Sequence, residues 1–262
     1  MDPLYSLFKY IWPVNTGYSL TRIGHYGDGG YLVPDCLSGI EVCISPGTAK
    51  DILAETQLAE RYGIQSLMCD PDHDAPEGLG PLLHFEKIKI AAHTEIGISI
   101  SMMDLLDKYN MKTSCPILLS MDIEGGEYEV IQSIPDRILS SMRIITLEIH
   151  YLTDSRYIQL ANKLFEKLWP HFDLVHMRPN NACKTQIQIG GQMLPYYHAI
   201  EVTFLAKMMR KWPPQPISLE SLPHKLDSLN VTEYGEVEYD FFRYMASWHE
   251  RSENTTTSDS LG

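Results

Sequence analysis

A doubly wound α/β domain is the fold class that the sequence predicts, on three observations. Short continuous apolar runs recur along the chain, the pattern of strands buried on both faces of a parallel sheet. Segments with helical spacing separate them, and the alternation repeats about five times. The runs end in acids and glycines, at the strand ends where open α/β sheets take their ligands. A chain of 262 residues holds one such domain with a full core.

Asp2 caps a short helix that has Pro3 in its first turn and Leu4, Leu7, Phe8 and Ile11 on one face. In RIGHYGDGGYLV, Arg22 to Val33, glycines surround Asp28. Asp-Gly is a hairpin signal, and a glycine-rich turn also lets backbone N–H groups approach a ligand; both readings stand. Ile40 to Gly47 is the first buried strand, and Lys50 to Tyr62 is a helix carrying Ile52, Leu53, Leu58 and Ala59. Ile64 to Asp70 is the next strand. Its terminal acid follows Gly47 by about 23 residues, the geometry in which a carboxylate accepts from ribose hydroxyls. No G-x-G-x-x-G is present, so a ligand with a ribose and no phosphate fits better than a dinucleotide.

His73 to Pro81 is a loop, and Leu83 to Ala92 contains the third strand, with Phe85, Ile88 and Ile90 alternating. Ser101 caps a helix running to Lys108, with Asp104 at its N3 position. Pro116 to Ile131, PILLSMDIEGGEYEVI, is a strand, a turn and a helix. Asp122 and Glu124 tip the strand, Gly125 and Gly126 turn the backbone, and Glu127 suits the positive end of a helix reaching Ser133. Acids before a helix are also ordinary turn and capping residues. A second strand end shifts the balance toward chemistry: in RIITLEIH, Arg143 to His150, Glu148 and His150 interrupt or end an apolar run, where they need partners. Asp154 to Trp169 is an amphipathic helix. Phe172 to Met177 and His198 to Leu205 are two strands joined by a polar segment, an antiparallel pair at one sheet edge. Pro213, Pro214 and Pro216 end the sheet, and Leu219 to Trp248 has room for a helix or two, with Tyr239, Phe241, Phe242 and Tyr244 to pack.

The formal charge of −13, with no Lys/Arg cluster, argues against a nucleic-acid partner. Cys36, Cys43, Cys69, Cys115 and Cys183 are widely spaced without a C-x-x-C pair, as free thiols of a reducing compartment are. No signal peptide and no membrane span is visible, and the expected location is cytoplasmic.

The series RIGHYGDGGYLV, CISPG, MCDP, LLSMDIEGGEYEVI, LEIH and HMRPNN with LPYYHAIEVTFL, over residues 20–207, resembles the FkbM-type methyltransferases, a branch of the S-adenosylmethionine-dependent class I fold. The resemblance implies a Rossmann-like, mostly parallel seven-stranded sheet with an antiparallel edge hairpin and helices on both faces. The methyltransferase domain would span residues 1–212, including an N-terminal helical and hairpin extension. A C-terminal extension, 213–251, would pack on it, followed by a disordered tail, 252–262. The implied reaction is methyl transfer to a hydroxyl oxygen, of a sugar in a glycan or glycoconjugate. A non-carbohydrate natural product is the alternative acceptor, and a noncatalytic binding module that keeps the fold is the alternative class.

Carried onto this chain, the resemblance puts Ser45, Pro46 and Gly47 under the amino-acid part of S-adenosylmethionine and Asp70, with Pro71 beside it, on the ribose. Asp28, Gly29, Gly30 and Tyr31 close near the same site, and Asp122 and Glu124 border the sulfur. Such a displacement needs alignment and the removal of one proton. His150 is the first choice of base, oriented by Glu148 or Asp122, and His176 a weaker one. Alternatively Asp122, Glu148 and His150 hold a divalent cation, Mg or Mn, that binds the acceptor oxygen. His176, Asn180 and Asn181 are the candidate acceptor-binding residues. Tyr151, Trp169, Tyr196 and Tyr197 either stack on a sugar or pack internally.

Overall fold

The computed structural model describes residues 3–245. Its centre is a sheet of seven strands: β1 (Val42–Pro46), β2 (Gln65–Cys69), β3 (Leu83–Glu86), β4 (Ile117–Met121), β5 (Met142–Ile149), β6 (Phe172–Pro179) and β7 (Ile200–Ala206). The spatial order is β3-β2-β1-β4-β5-β7-β6. Strands β1 to β5 run parallel, and β7 lies antiparallel to both β5 and β6. The chain therefore winds outward from β1, returns to lay β4 on its other side, and winds outward again. The reversal leaves a crevice between the C-terminal ends of β1 and β4.

One sheet face is covered by helices α1 (Pro3–Phe8), α3 (Met102–Lys108), α4 (Glu127–Ser133), α5 (Asp136–Leu139) and α6 (Ser155–Leu168), whose apolar residues join Ile117, Leu119, Ile145, Leu147, Val202 and Phe204 in the larger core. The other face packs α2 (Leu53–Tyr62) and the hairpin of Leu20–Ile23 with Tyr31–Pro34 on Cys43, Leu118, Ile144 and Leu205. Along each strand the side chains alternate between these layers. The Asp-Gly segment is thus a hairpin, and it also reaches the site below.

Local signals set several boundaries. Ser101 Oγ accepts from the Asp104 N–H at 3.2 Å and starts α3. Asp154 accepts from the Arg156 N–H at 2.9 Å and starts α6, which buries Ile158, Ala161, Leu164, Phe165 and Leu168. Helix α2 begins at Leu53 rather than Lys50, because Asp51 Oδ1 takes the Leu53 N–H at 3.0 Å and holds the preceding residues in a turn. The stretch read as one strand from Leu83 to Ala92 is two: Ile88 N–H bonds back to Glu86 O at 2.8 Å, and Lys89–Ala91 leaves the sheet to pair with Ser99–Ser101. The segment between β6 and β7 holds an additional hairpin, Lys184–Ile189 with Gln192–Tyr197, which periodicity did not reveal. Near the C-terminus a helix begins at 240, with Phe241, Phe242 and Met245 in the larger core. Asp2, Trp248 and the tail read as disordered, 252–262, lie outside the described residues. All five cysteines are free. Among the described residues no helix is long and apolar enough to cross a membrane.

Candidate active site

The C-terminal ends of β1, β2 and β4 open into a cavity of about 600 Å³. Of the residues expected at a donor site, Asp28, Gly29, Tyr31, Ser45, Pro46, Gly47, Asp70, Pro71, Asp122 and Glu124 line it. Gly30 does not. Its Cα faces the inside of the hairpin, where a Cβ would lie 1.9 Å from His25 O. The loop after β1 passes directly under the end of β4: Gly47 has φ +82°, and a Cβ there would come within 1.5 Å of the Asp122 carbonyl oxygen. Only glycine allows that approach.

Asp70 ends β2 with both carboxylate oxygens engaged. Oδ1 accepts from the Asp72 N–H (2.8 Å) and the His73 N–H (3.0 Å), and Oδ2 accepts from the Ala49 N–H (3.0 Å). Burial opposes ionisation here, yet these hydrogen bonds hold the carboxyl below its ordinary pKa. Oδ2 keeps lone-pair capacity toward the cavity. Sequence reasoning missed Glu55, which lines the cavity from α2, is buried, and accepts from Ser45 Oγ at 2.5 Å. Burial raises its pKa. An acid on the inward face of an amphipathic helix was the available signal.

On the sheet face under the hairpin, side chains grade along the strands. Leu118, Ile144 and Leu205 are apolar; Ser120, Thr146 and Thr203 follow, with Thr146 donating to Ser120 Oγ at 3.0 Å. At the C-terminal edge stand Asp122, Glu148, Glu201 and Arg178, with Glu148 opposite Glu201 and Glu201 opposite Arg178 in register. Arg178 and Glu201 form a buried bidentate pair at 2.6 and 3.2 Å. The acids beyond it have no such partner.

His150, one residue past β5, collects them. Its Nδ1 is 2.8 Å from Glu127 Oε1, while Nε2 is 3.5 Å from Glu124, 3.6 Å from Asp122 and 3.9 Å from Glu148. Asn180 donates to Glu148 Oε1 at 2.7 Å. Burial would depress the imidazole pKa, but the Glu127 hydrogen bond and the surrounding carboxylates raise it. Burial raises the Glu148 carboxyl, with the Asp122 charge adding to it, and burial likewise raises Asp122 against the pull of His150. Glu124 adopts a left-handed φ of +53° at the turn, a strained conformation for a side-chain-bearing residue. Glu127, read in the sequence as a helix-dipole residue, is wholly buried; its Oε1 serves His150 and the Ile123 N–H, and its Oε2 has no partner. Asp122 Oδ1 is a second buried oxygen without a hydrogen bond. Asp122, Glu127 and His150 present ligand atoms within 4.8 Å of one another.

Two acceptor candidates are placed elsewhere. His176 is buried 2.9 Å from Asp227 Oδ1, in the wall of a separate cavity with Thr16, Tyr18 and His224. Asn181 uses its side chain on the Val231 N–H and on the carbonyls of Val231 and Gly235. Tyr196 and Tyr197 are buried packing residues whose hydroxyls meet Leu152 O and the Glu238 N–H, and Trp169 packs on Tyr10.

Residues 70–177 match the Methyltransferase FkbM domain. No curated protein matches the chain. Among solved structures, the METTL16 methyltransferase domain is 15% identical, with 65% of this chain and 61% of that one covered and a TM-score of 0.35; the chain thus spans less than two thirds of it. A putative tRNA (m1A22) methyltransferase of Streptococcus pneumoniae in complex with S-adenosyl-L-methionine is 10% identical over 85% of this chain and 86% of that one, TM-score 0.36. Precorrin-6y C5,15-methyltransferase from Geobacter metallireducens is 11% identical over 64% and 80%, TM-score 0.35.

Proposed function

We propose that this chain, whose residues 70–177 match the methyltransferase FkbM domain, is a methyltransferase of that family and moves a methyl group from S-adenosylmethionine to a hydroxyl oxygen, most simply one of a sugar. The cavity at the β1/β4 crevice carries this reading. Its glycine-only approach at Gly47, the Asp70 carboxylate and the buried, unpartnered Thr48 Oγ1 suit a donor with a ribose, an amino acid and no phosphate. Asp70 would hold the ribose, and Ser45 to Gly47 with Glu55 the amino-acid end. Bound there, the sulfonium supplies an activated methyl group. The chain's own task is to align a hydroxyl and take its proton. Asp122 stands in the cavity wall, with His150 Nε2 3.6 Å behind it and Glu127 fixing the far ring nitrogen. We assign proton acceptance to this Asp122–His150–Glu127 cluster.

A divalent cation in the same place is the second reading. The carboxylates of Asp122, Glu124 and Glu148 lie 3.5–3.9 Å from Nε2, too far for hydrogen bonds and close to the spacing of ligands on one ion. Glu127 then plays the part of the carboxylate that orients a ligating histidine. Such an ion would lower the pKa of the acceptor hydroxyl.

Titration calorimetry of chelator-treated protein with S-adenosylhomocysteine tests the donor site. Micromolar binding, weakened at least about tenfold in Asp70→Ala, is expected. No binding in the wild type would remove the methyltransferase assignment. A separate Mg²⁺ or Mn²⁺ heat, lost in Asp122→Ala, selects the cation reading, and its absence selects the proton-accepting cluster.

A further inference from the structure

At the end of the sheet opposite the cavity, lysines stand among exposed aromatic and thioether side chains. Strand β7 runs antiparallel to β5, so its first residue, Ile200, pairs with Ile149 beside the acid cluster, while its last, Ala206, pairs with Phe172 at the start of β6. These two ends lie about 20 Å apart. Past Ala206, a short turn of 3-10 helix, Lys207–Met209, and then residues 210–212 lead from Trp169, just after α6, to Tyr18, which packs on the hairpin side.

The side chains of this turn are held in place. Lys207 Nζ donates to Trp169 O at 2.5 Å and lies 5.4 Å from the Trp169 ring. Trp169 meets Tyr10 edge-on at 5.4 Å, and Lys9 Nζ lies 4.4 Å over the same tyrosine. Toward the hairpin, the Lys211 N–H bonds to Thr16 O at 3.0 Å and its Nζ lies 4.1 Å over the Tyr18 ring, while Trp212 covers Gly17 so closely that a Cβ there would meet its ring at 3.1 Å. Met208, between them in the chain, is 79% exposed, Trp212 48% and Trp169 44%. Among the described residues Lys9, Lys207 and Lys211 pair with no carboxylate, whereas Lys87, Lys108 and Lys184 do. Asp173, one residue into β6, is buried and taken up by Arg210.

Ammonium groups beside indole rings and an exposed thioether suit the boundary between lipid headgroups and acyl chains, where rings and methylenes enter the apolar layer and the charges stay with the phosphates. A nucleic acid or a soluble polyanion would match the charges and leave Met208 and the indole edges in water. The formal charge of −13 opposes approach of the whole chain to an anionic surface, but the acids of the cavity lie about 20 Å from this face, more than twice the screening length of about 8 Å at physiological salt. The local charge decides.

We propose that this face is a peripheral membrane-contact surface for an anionic bilayer, with Lys9, Lys207 and Lys211 on the headgroups and Met208, Trp169 and Trp212 at the acyl boundary. Seated in this way, the chain keeps its cavity open on the side away from the lipid. The surface is independent of the methyltransferase reading.

The test is co-sedimentation of the full chain with vesicles of phosphatidylcholine alone and of phosphatidylcholine with phosphatidylserine, at low and high salt. The proteins are the wild type, the double variant Lys9→Gln with Lys211→Gln, and Met208→Ser, whose side chain is too exposed to hold the fold. The wild type should bind only the phosphatidylserine vesicles and leave them at high salt. Binding should weaken about fivefold for each lysine removed and at least about fivefold in Met208→Ser, with the affinity for S-adenosylhomocysteine held within about twofold. A wild type that stays in solution with phosphatidylserine vesicles would overturn the surface, as would equal vesicle binding by wild type and Met208→Ser. Binding of polyglutamate or single-stranded RNA that matches vesicle binding and ignores Met208→Ser would also overturn it, leaving a purely electrostatic contact. Vesicle binding of the expected pattern without S-adenosylhomocysteine binding would keep the surface and count against the methyltransferase reading alone.

Discussion

Glu127 is the residue on which the state of the site turns. Its carboxylate accepts from His150 Nδ1 at 2.8 Å inside the protein and outweighs the burial that would otherwise keep the imidazole neutral. Glu127→Gln keeps the shape and removes the charge, so the His150 titration followed by NMR of its ring carbon-bound proton should move to lower pH. A titration unchanged by that substitution would mean that the other carboxylates control the ring. Stability follows with a definite sign. His150, Glu148 and Asp122 all have folded-state pKa values above their ordinary ones, so the folded chain holds protons that the unfolded chain releases. Their contribution is complete below the unfolded values and is lost as pH rises through the folded ones. For chelator-treated protein, Tm should therefore fall between about pH 5.5 and 8.5, by about 2–4 °C for each kcal/mol lost. Glu148→Gln should flatten that slope and raise Tm at the alkaline end, as thermal melts across the range would show.

At the scale of elements, the site depends on two strand ends held close. Gly47 N–H bonds to Cys69 O at 2.8 Å and Asp122 N–H to Pro46 O at 3.2 Å, locking β1 between β2 and β4 where the cavity opens. Gly47→Ala must abandon both φ +82° and the contact with the Asp122 backbone. The strain alone costs about 1–3 kcal/mol. The substitution should lower stability in chemical denaturation by at least that amount and abolish S-adenosylhomocysteine binding; retention of near-normal binding would remove this loop from the donor site. The turn between β4 and α4 follows the same logic. Gly125, at φ +96°, leaves room for the Tyr151 ring, which a Cβ would meet at 2.5 Å. The Tyr128 hydroxyl then donates to His150 O and fixes the end of β5 to α4.

At the scale of the whole molecule, the C-terminal stretch is part of the working body. Phe241, Phe242 and Met245 lie in the larger core, and Asn181 is the buried amide that clasps Val231 and Gly235. Asn181→Ala deletes three hydrogen bonds and takes the shared donor from the Val231 and Gly235 carbonyls, a loss of about 1–3 kcal/mol. Limited proteolysis should then cut between residues 222 and 240 faster than in the wild type, while the sheet core resists. Equal rates of cutting would mean that the aromatic anchors alone hold the segment.

The sequence by itself determined the alternation of strand and helix and the unit from Pro116 to Ser133, because hydrophobic period, glycine turns and helix caps are local properties of the chain. Asp70, Asp122 and Glu148 were legible for the same reason: each is an acid at the end of, or inside, an apolar run. What the tertiary structure decided was partnership. His176 and Asn181 read as acceptor ligands by residue type, but Asp227, Val231 and Gly235 take up their side chains. Glu127 read as a dipole residue until β5 brought His150 against it, and the row of Glu148, Glu201 and Arg178 exists only in the register of three strands. Hydrogen bonds and ion pairs between residues far apart in sequence leave no period to read, and they are fixed only when packing brings the groups within about 3 Å of one another.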